Sequence, residues 1–226
     1  MIRAIEKWVL PPRCVITHAL ADDFDLSEKV LQQLVKPIDV CPQCCEPSLD
    51  ATLCGACMTH PPAFDQTQVA FYFKDPLSKL VYDLKYHQQA AYARLLVEMS
   101  ISAFDATGVE ALIPVPTHPL RRRERGYNQA ELIAEEISKH LGIPVVKSAV
   151  QRIKHTPSQT HLTAKQRQQN LTKAFKIQTD CFDNINCVAL VDDVITTGAT
   201  MQALAKLICA KTNIDRIESW AIAKTK

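Results

Sequence analysis

The feature that most constrains the fold of this chain is the run V-A-L-V-D-D-V-I-T-T-G-A-T, which begins at Val188 and ends at Thr200. An uninterrupted apolar stretch at 187–191 has the pattern of a strand that is buried on both faces of a parallel sheet. Two adjacent carboxylates follow, and a helical pattern begins at Gly198. The run therefore predicts a strand, a tight turn and a helix within an α/β domain.

Hydrophobic periodicity extends this alternation along the chain. Further strands are predicted at 69–73, 111–115 and 214–223, with an edge strand at 145–150, and helices at 76–86, 90–104, 127–142 and 198–210. Strands that alternate with helices imply right-handed crossovers and an open, mainly parallel sheet flanked by helices. Ligands of such sheets bind at the carboxyl ends of the strands.

The polar side chains of the run 188–200 have a common chemical use. Asp192 and Asp193 are hydrogen-bond acceptors suited to the vicinal hydroxyls of a ribose, and they add negative charge near a magnesium ion. Gly198 lets backbone N–H groups approach a phosphate at the positive end of a helix. Hydroxyl donors come from Thr196, Thr197 and Thr200. The predicted ligand has a ribose beside a phosphate; the alternative is a solvated turn with helix caps.

Four cysteines have the spacing of metal ligands. They form two C-x-x-C pairs separated by nine residues, namely Cys41 with Cys44 and Cys54 with Cys57. Four thiolates favour Zn²⁺ in a closed, structural site. Reduced thiols and an iron–sulfur cluster are the alternatives, and Cys45 is a substitute for Cys44 in a shifted register. With a boundary at Pro61-Pro62, the prediction is a helical lead-in and zinc module at 1–62 and an α/β domain at 63–226.

Basic residues cluster between the predicted strands. A loop at 114–118 is followed by the run R-R-R-E-R, and a long basic insert at about 152–173 has the character of a lid. Guanidinium groups and backbone donors suit a pyrophosphate, although an arginine run is also typical of a solvated face. The candidates for the pyrophosphate loop and lid are Thr117, His118, Arg123, Arg125, Gln159 and Arg167.

Composition limits the classes of function. The net charge of +2 is too small to indicate nucleic-acid binding by itself, but no Asp or Glu occurs from Ile137 to Thr179, where the basic residues concentrate. No stretch approaches the roughly 18–20 apolar residues of a membrane span, and Met1 to Pro12 lacks the apolar core of a signal peptide. We therefore expect a cytoplasmic protein without membrane insertion.

The motifs together resemble a known family. The run 188–200 is similar to the phosphoribosyl-pyrophosphate motif of type I phosphoribosyltransferases. Together with the cysteine pairs, L-K-Y at 84–86 and P-V-P-T-H-P-L-R-R-R-E-R-G-Y-N-Q at 114–129, it resembles the ComF/GntX family. The resemblance implies a type I phosphoribosyltransferase fold preceded by a small four-cysteine zinc module, with Asp192 and Asp193 on the ribose and Thr196, Thr197, Gly198, Ala199 and Thr200 around the 5′-phosphate. Only Cys14 remains where many members carry further knuckles, so a second zinc is not expected.

The resemblance also implies a biological role and leaves three functions open. Members of the family are needed for natural transformation and act on incoming single-stranded DNA, with DNA-uptake or recombination proteins as partners. The first function is phosphoribosyl transfer from Mg²⁺-bound phosphoribosyl pyrophosphate, as in nucleobase salvage. The second is DNA handling through the basic segments. The third is a sensor of phosphoribosyl pyrophosphate that docks a protein partner without catalysis.

Overall fold

The computed structural model describes residues 13–21, 25–153 and 174–226. The predicted lid lies almost entirely outside these residues, as do Gln159 and Arg167, and the roles assigned to them stay predictions.

The main sheet has four parallel strands in the order β1-β6-β5-β2. These strands are β1 (Gln66–Tyr72), β2 (Ala111–Pro114), β5 (Cys187–Ile195) and β6 (Arg216–Lys224), and a separate antiparallel pair is formed by β3 (Val150–Arg152) and β4 (Phe175–Ile177). The strand of the run 188–200 is thus flanked by β2 on one side and β6 on the other, and all three end at the same edge of the sheet.

Helices cover both faces of this sheet. They are α1 (Glu28–Leu31), α2 (Gly55–Thr59), α3 (Leu77–Tyr86), α4 (Tyr92–Ser100), α5 (Pro119–Arg125), α6 (Gln129–Leu141) and α7 (Ala199–Lys211). Alternate residues of β5 belong to two buried clusters, because successive strand side chains point to opposite faces. Val191 packs in a cluster with α3, α4 and α6, whereas Leu190 packs in one with α7. The predicted fold class, a mainly parallel sheet flanked by helices behind a four-cysteine cluster, is confirmed.

The edge strand predicted at 145–150 is not continuous. Val145 makes a single parallel bridge to Leu112, and the next strand begins only at Val150. A turn at 147–148 separates the two, and Lys147 in that turn pairs with Glu131 and Glu135 of α6. The apolar residues of this segment therefore divide between the sheet edge and the β3–β4 pair.

The first described residues pack against the sheet rather than apart from it. Cys14, Leu26 and Val30 are buried in the same cluster as Trp220 of β6. The helix in this segment, α1, has four residues. The division of the chain at residue 62 stays a prediction. No described helix is both long enough and apolar enough to cross a bilayer.

Candidate functional site

The two acidic side chains of β5 lie in different environments. Asp193 is buried, and its Oδ1 atom is 2.9 Å from Nζ of Lys85 at the end of α3. Asp192 accepts a hydrogen bond of 2.9 Å from the backbone N–H of Asp193. Burial, together with the neighbouring charge of Asp193, raises the pKa of Asp192 to about 7. One carboxylate is therefore held by a lysine, and the other is available to a hydroxyl group or a cation.

The turn after β5 presents hydroxyl groups and backbone donors at the start of α7. Thr196 and Thr197 are exposed, and Oγ1 of Thr197 accepts a hydrogen bond of 3.4 Å from the N–H of Ala199. Gly198 has a φ of +70°, while a Cβ there would meet nothing within 4 Å. Glycine is favoured at this position because the backbone is left-handed, and not because a side chain would clash with its neighbours. The first N–H groups of α7 have no intrahelical acceptor, so the turn suits an anion.

Thr117, which follows β2, faces the acidic pair across a small cavity. Its Oγ1 donates to Oδ1 of Asn128 at 2.9 Å, and Nδ2 of Asn128 donates to the carbonyl of Val115 at 3.1 Å. These bonds fix the loop against the start of α6. We call this space the acid cavity; it has a volume of about 230 Å³, and its lining includes Asp192, Asp193, Thr117 and Thr200.

Basic side chains surround the acid cavity. Lys85, Arg121, Arg125 and Arg152 all contribute to its lining. The guanidinium of Arg125 lies 5.0 Å from the ring centroid of Tyr86 and donates to Oε1 of Gln129 at 3.2 Å. The cavity thus combines two acids with a ring of cations, the charge pattern of a site for a sugar that carries phosphates and a metal ion.

Two other residues of the predicted pyrophosphate loop lie outside the acid cavity. Nδ1 of His118 accepts a hydrogen bond of 3.3 Å from the N–H of Leu120 and thereby caps α5. Arg123, two residues before Arg125, lines an adjoining cavity of about 760 Å³ with Lys147 and Arg152, which we call the arginine cavity; Arg152 also lines the acid cavity. Residues i and i+2 of a helix point in different directions, and of the two arginines only Arg125 lines the acid cavity.

Sequence reasoning assigned no role to Gln129, which the structure places in the acid cavity. Its side chain is 2% exposed, and its Nε2 atom has no hydrogen-bond partner among the described residues. A buried amide without a partner is unfavourable, and a ligand oxygen in the cavity would satisfy it. The only signal in the sequence is its place in the run R-G-Y-N-Q, directly after Asn128.

The four predicted metal ligands come together. The sulfur atoms of Cys41, Cys44, Cys54 and Cys57 all lie within 4.8 Å of one another. A tetrahedral zinc site with Zn–S bonds of about 2.3 Å requires sulfur atoms about 3.8 Å apart, so the cluster fits this ion. The cluster contains Cys44 and not Cys45, whose φ of +58° closes the turn of the first knuckle.

The thiols of this cluster differ in acidity. Burial raises the pKa of Cys44 to about 11, and hydrogen bonds with the thiols of Cys54 and Cys41 act in the same direction, whereas the hydrogen bond with Cys57 opposes them. Although burial opposes it, the backbone N–H groups of Cys54, Cys44 and Gln43 lower the pKa of Cys41 to about 7. Four adjacent thiolates repel one another unless a cation lies between them, so a bound Zn²⁺ would hold all four deprotonated.

Hydrogen bonds and an ion pair attach the cysteine segment to the main sheet. The N–H of Thr67 in β1 donates to the carbonyl of Pro42 at 2.9 Å, and Oγ1 of Thr67 donates to the carbonyl of Gln43 at 2.7 Å. Nζ of Lys224, the last residue of β6, lies 2.6 Å from Oε1 of Glu46. The module that would hold zinc is therefore fixed to β1 and β6.

Known proteins align with most of the length of this chain. No model of a known protein family matches the chain. Competence protein F of Haemophilus influenzae is 36% identical over 202 residues, which cover 85% of this chain and 88% of that protein. The chain belongs to the ComF family. This confirms the family that the motifs indicated.

Two further relatives span a similar share of this ComF-family chain. DNA utilization protein YhgH of Escherichia coli K12 is 30% identical over 194 residues, which cover 82% of this chain and 84% of that protein. Competence protein ComFC of Bacillus subtilis is 22% identical over 202 residues, with 82% of this chain and 78% of that protein covered.

Proposed function

We propose that this ComF-family chain binds Mg²⁺-phosphoribosyl pyrophosphate at the end of β5 and serves the uptake or use of incoming DNA. The observation that carries the first part is the convergence on one cavity of the acids Asp192 and Asp193, the loop at Thr117 and a ring of cations. The N-terminus of α7 begins beside this cavity, and Thr200 lines it. Each group matches one part of the ligand.

The chemistry of each protein group indicates which part of the ligand it would bind. Asp192 and Asp193 accept hydrogen bonds from the ribose hydroxyls, and residues 196–200 bind the 5′-phosphate through hydroxyl and backbone donors. The pyrophosphate extends toward Thr117, Arg125 and Lys85, which line the same cavity. When bound, Mg²⁺ supplies positive charge that neutralises the phosphate oxygens.

If transfer takes place, its catalysis is mainly electrostatic. An acceptor atom forms a bond to the anomeric carbon of the ribose, the bond from that carbon to the pyrophosphate oxygen breaks, and pyrophosphate leaves with the electron pair. Fixed cations such as Arg125 and Lys85 stabilise the charge that develops on the leaving group. A sensor would use the same contacts without the transfer step.

The second part of the proposal concerns DNA. The names of these relatives refer to competence and to DNA utilization. The alignments with them cover most of this chain. The arginine cavity contributes Arg122, Arg123, Lys147 and Arg152 to a basic surface next to the predicted lid. Lysine and arginine side chains neutralise DNA phosphates without regard to base sequence. Incoming single-stranded DNA is therefore the proposed nucleic-acid partner.

Ligand-induced thermal stabilisation tests the binding proposal. Phosphoribosyl pyrophosphate with Mg²⁺ at one hundred times its Kd raises the unfolding free energy of a protein that binds it by about 2.7 kcal/mol. We expect this stabilisation in the wild type and in Asp183→Asn, an exposed control away from the cavity, but not in the double variant Asp192→Asn/Asp193→Asn. Equal stabilisation of all three proteins would show that Asp192 and Asp193 do not contribute to ligand binding.

A pyrophosphate-release assay separates the enzyme from the sensor. Release that requires both phosphoribosyl pyrophosphate and an added nucleobase acceptor supports the transferase. Saturable binding without release for any nucleobase supports the sensor.

A further inference from the structure

The cysteine segment, residues 37–62, carries exposed apolar side chains that the proposed function does not use. Four of the ten large apolar side chains that are exposed among the described residues lie in this segment. Their exposed fractions are 75% for Ile38, 86% for Leu49, 47% for Leu53 and 70% for Met58. Single exposed apolar side chains are normal on a protein surface, but a concentration of them marks a site of interaction. We call these four residues the apolar patch.

The cysteine cluster brings two residues of the apolar patch together. Leu53 directly precedes Cys54, and Met58 directly follows Cys57. The sulfur atoms of the cluster lie within 4.8 Å of one another, and the N–H of Met58 donates to the carbonyl of Cys54 at 3.0 Å. The second knuckle therefore holds the backbones of Leu53 and Met58 close together.

Backbone hydrogen bonds connect the other two residues. The N–H of Ser48 donates to the carbonyl of Asp39 at 2.8 Å, so Ile38 and Leu49 each adjoin a member of a bonded pair. The N–H and Oγ1 of Thr52 both donate to the carbonyl of Leu49, at 3.1 Å and 2.9 Å, and connect it to the second knuckle. A surface that is fixed in this way loses little conformational entropy when a partner binds.

The charge of the cysteine segment distinguishes between classes of partner. No lysine or arginine occurs in residues 37–73, a stretch that contains four acidic residues. Two of these acids, Asp39 and Asp50, are exposed and directly follow Ile38 and Leu49. The phosphates of DNA carry the same sign of charge and are disfavoured beside them. The complementary partner presents lysine or arginine next to large apolar side chains.

We propose that the apolar patch docks a partner protein, through a segment whose large apolar side chains are flanked by lysine or arginine. The apolar side chains of that segment cover the patch, and its cations lie beside Asp39 and Asp50. The apolar contact supplies most of the affinity, while the charges select the partner. The proposal does not depend on the binding of phosphoribosyl pyrophosphate, because no residue of the patch lines the acid cavity.

A library of phage-displayed random peptides supplies the probe. The library is selected on the immobilised full-length protein, and the enriched peptides are synthesised and titrated against the wild type by fluorescence anisotropy. We expect these peptides to combine large apolar side chains with a net positive charge. Enrichment of acidic peptides, or of no peptide, would overturn the proposal.

Two double variants test the location of the peptide site. Leu49→Ser/Met58→Ser should lower peptide affinity about tenfold, a difference of about 1.4 kcal/mol, because truncated anchors lose their apolar contact. The matched control is Leu120→Ser/Ile153→Ser, since these side chains are also exposed but lie outside the cysteine segment. Equal zinc content and equal unfolding temperature establish that both variants are folded. An equal loss in both variants, or no loss in the first, overturns the location.

A second pair of variants tests the selection by charge. Asp39→Asn/Asp50→Asn should lower peptide affinity about threefold and make it less sensitive to salt, as expected of exposed charges. Asp180→Asn/Asp183→Asn is the matched control, because it removes the same charge from exposed positions elsewhere. The same salt dependence in both variants would contradict the role of the two acids.

The other possible occupants of the patch give different results. In analytical ultracentrifugation, self-association of the wild type that is lost in Leu49→Ser/Met58→Ser would assign the patch to a second copy of this chain. Weaker binding of a single-stranded oligonucleotide by the same variant would assign it to nucleic acid. Either result overturns the partner proposal and leaves the proposed binding of phosphoribosyl pyrophosphate intact. Unchanged self-association and unchanged oligonucleotide binding support the partner proposal.

Discussion

At the scale of single residues, the candidate site contains a carboxylate, Asp192, whose negative charge is disfavoured by burial and by a neighbouring acid. Asp192 lies beside Asp193, and Asp193 already has Lys85 as its ion-pair partner. Burial and this adjacent charge raise the pKa of Asp192 to about 7. The arrangement lowers the stability of the empty protein and becomes favourable when a hydroxyl group or a cation is bound.

A stability measurement against pH tests this interpretation. Because the folded-state pKa of Asp192 is raised, the folded protein binds more protons than the unfolded chain between about pH 4 and about pH 7, and stability falls as pH rises through this window. Asp192→Asn removes the titrating carboxyl group and therefore this pH dependence. It keeps a side-chain oxygen that accepts the hydrogen bond from the N–H of Asp193. We expect its unfolding temperature at pH 8 to exceed that of the wild type by about 2–6 °C.

The same comparison near pH 3 is the control, because Asp192 is then largely protonated in both the folded and the unfolded state. A difference in unfolding temperature that is as large at pH 3 as at pH 8 would contradict a role for the charge.

At the scale of elements, the turn between β5 and α7, which we propose binds the 5′-phosphate, depends on its backbone conformation. Gly198 has a φ of +70° and Gly142, at the end of α6, has a φ of +73°, and a Cβ at either would meet nothing within 4 Å. Alanine at either position should cost about 1 kcal/mol of stability, because L residues disfavour this region. Only Gly198→Ala should weaken phosphoribosyl pyrophosphate binding in a calorimetric titration, since only this turn lies at the site. Equal weakening by Gly142→Ala would indicate a general loss of stability.

The zinc knuckles form a second element that can be tested by itself. Cys54→Ser removes one of four ligands, and we expect the purified protein to lose its zinc and unfold at a lower temperature, by at least about 5 °C. Cys209→Ser is the matched control, because Cys209 is exposed and outside the cluster. Zinc content by atomic absorption decides the result, and one zinc per chain in Cys54→Ser would overturn the ligand set.

At the scale of the whole molecule, the basic residues of the arginine cavity should make the proposed DNA binding dependent on salt. Each phosphate contact with single-stranded DNA contributes about −0.7 to the slope of log K against log salt. Neutralising Arg123 and Lys147 of the arginine cavity as Arg123→Gln/Lys147→Gln should therefore make the slope less negative by about 1.4, measured by fluorescence anisotropy of a labelled oligonucleotide.

The matched control for that experiment is Lys79→Gln/Lys211→Gln, which removes the same charge from exposed positions that do not line the arginine cavity. Slopes that change equally in both double variants would assign DNA binding to net charge alone.

The sequence predicts best those features that depend on neighbouring residues. The strand, acids and turn of the run 188–200 are contiguous, and so is each pair of cysteines, so the order of these features follows from the sequence, although β5 continues past Val191 through both acids to Ile195. The ion pair between Lys85 and Asp193 and the contact of Glu46 with Lys224 join distant segments, and no periodicity indicates them. His118 illustrates a local ambiguity, because a residue that precedes a proline at a helix start can cap the helix or bind a ligand.

The proposed binding of the sugar and phosphate of phosphoribosyl pyrophosphate at the end of β5 can be tested by a crystal structure. The protein would be crystallised with this ligand and Mn²⁺ in place of Mg²⁺, so that anomalous scattering locates the metal. We expect the 5′-phosphate on residues 196–200, the ribose hydroxyls on Asp192 and Asp193, and the pyrophosphate beside Thr117. A ligand bound only in the arginine cavity, with the acids of β5 untouched, would contradict it.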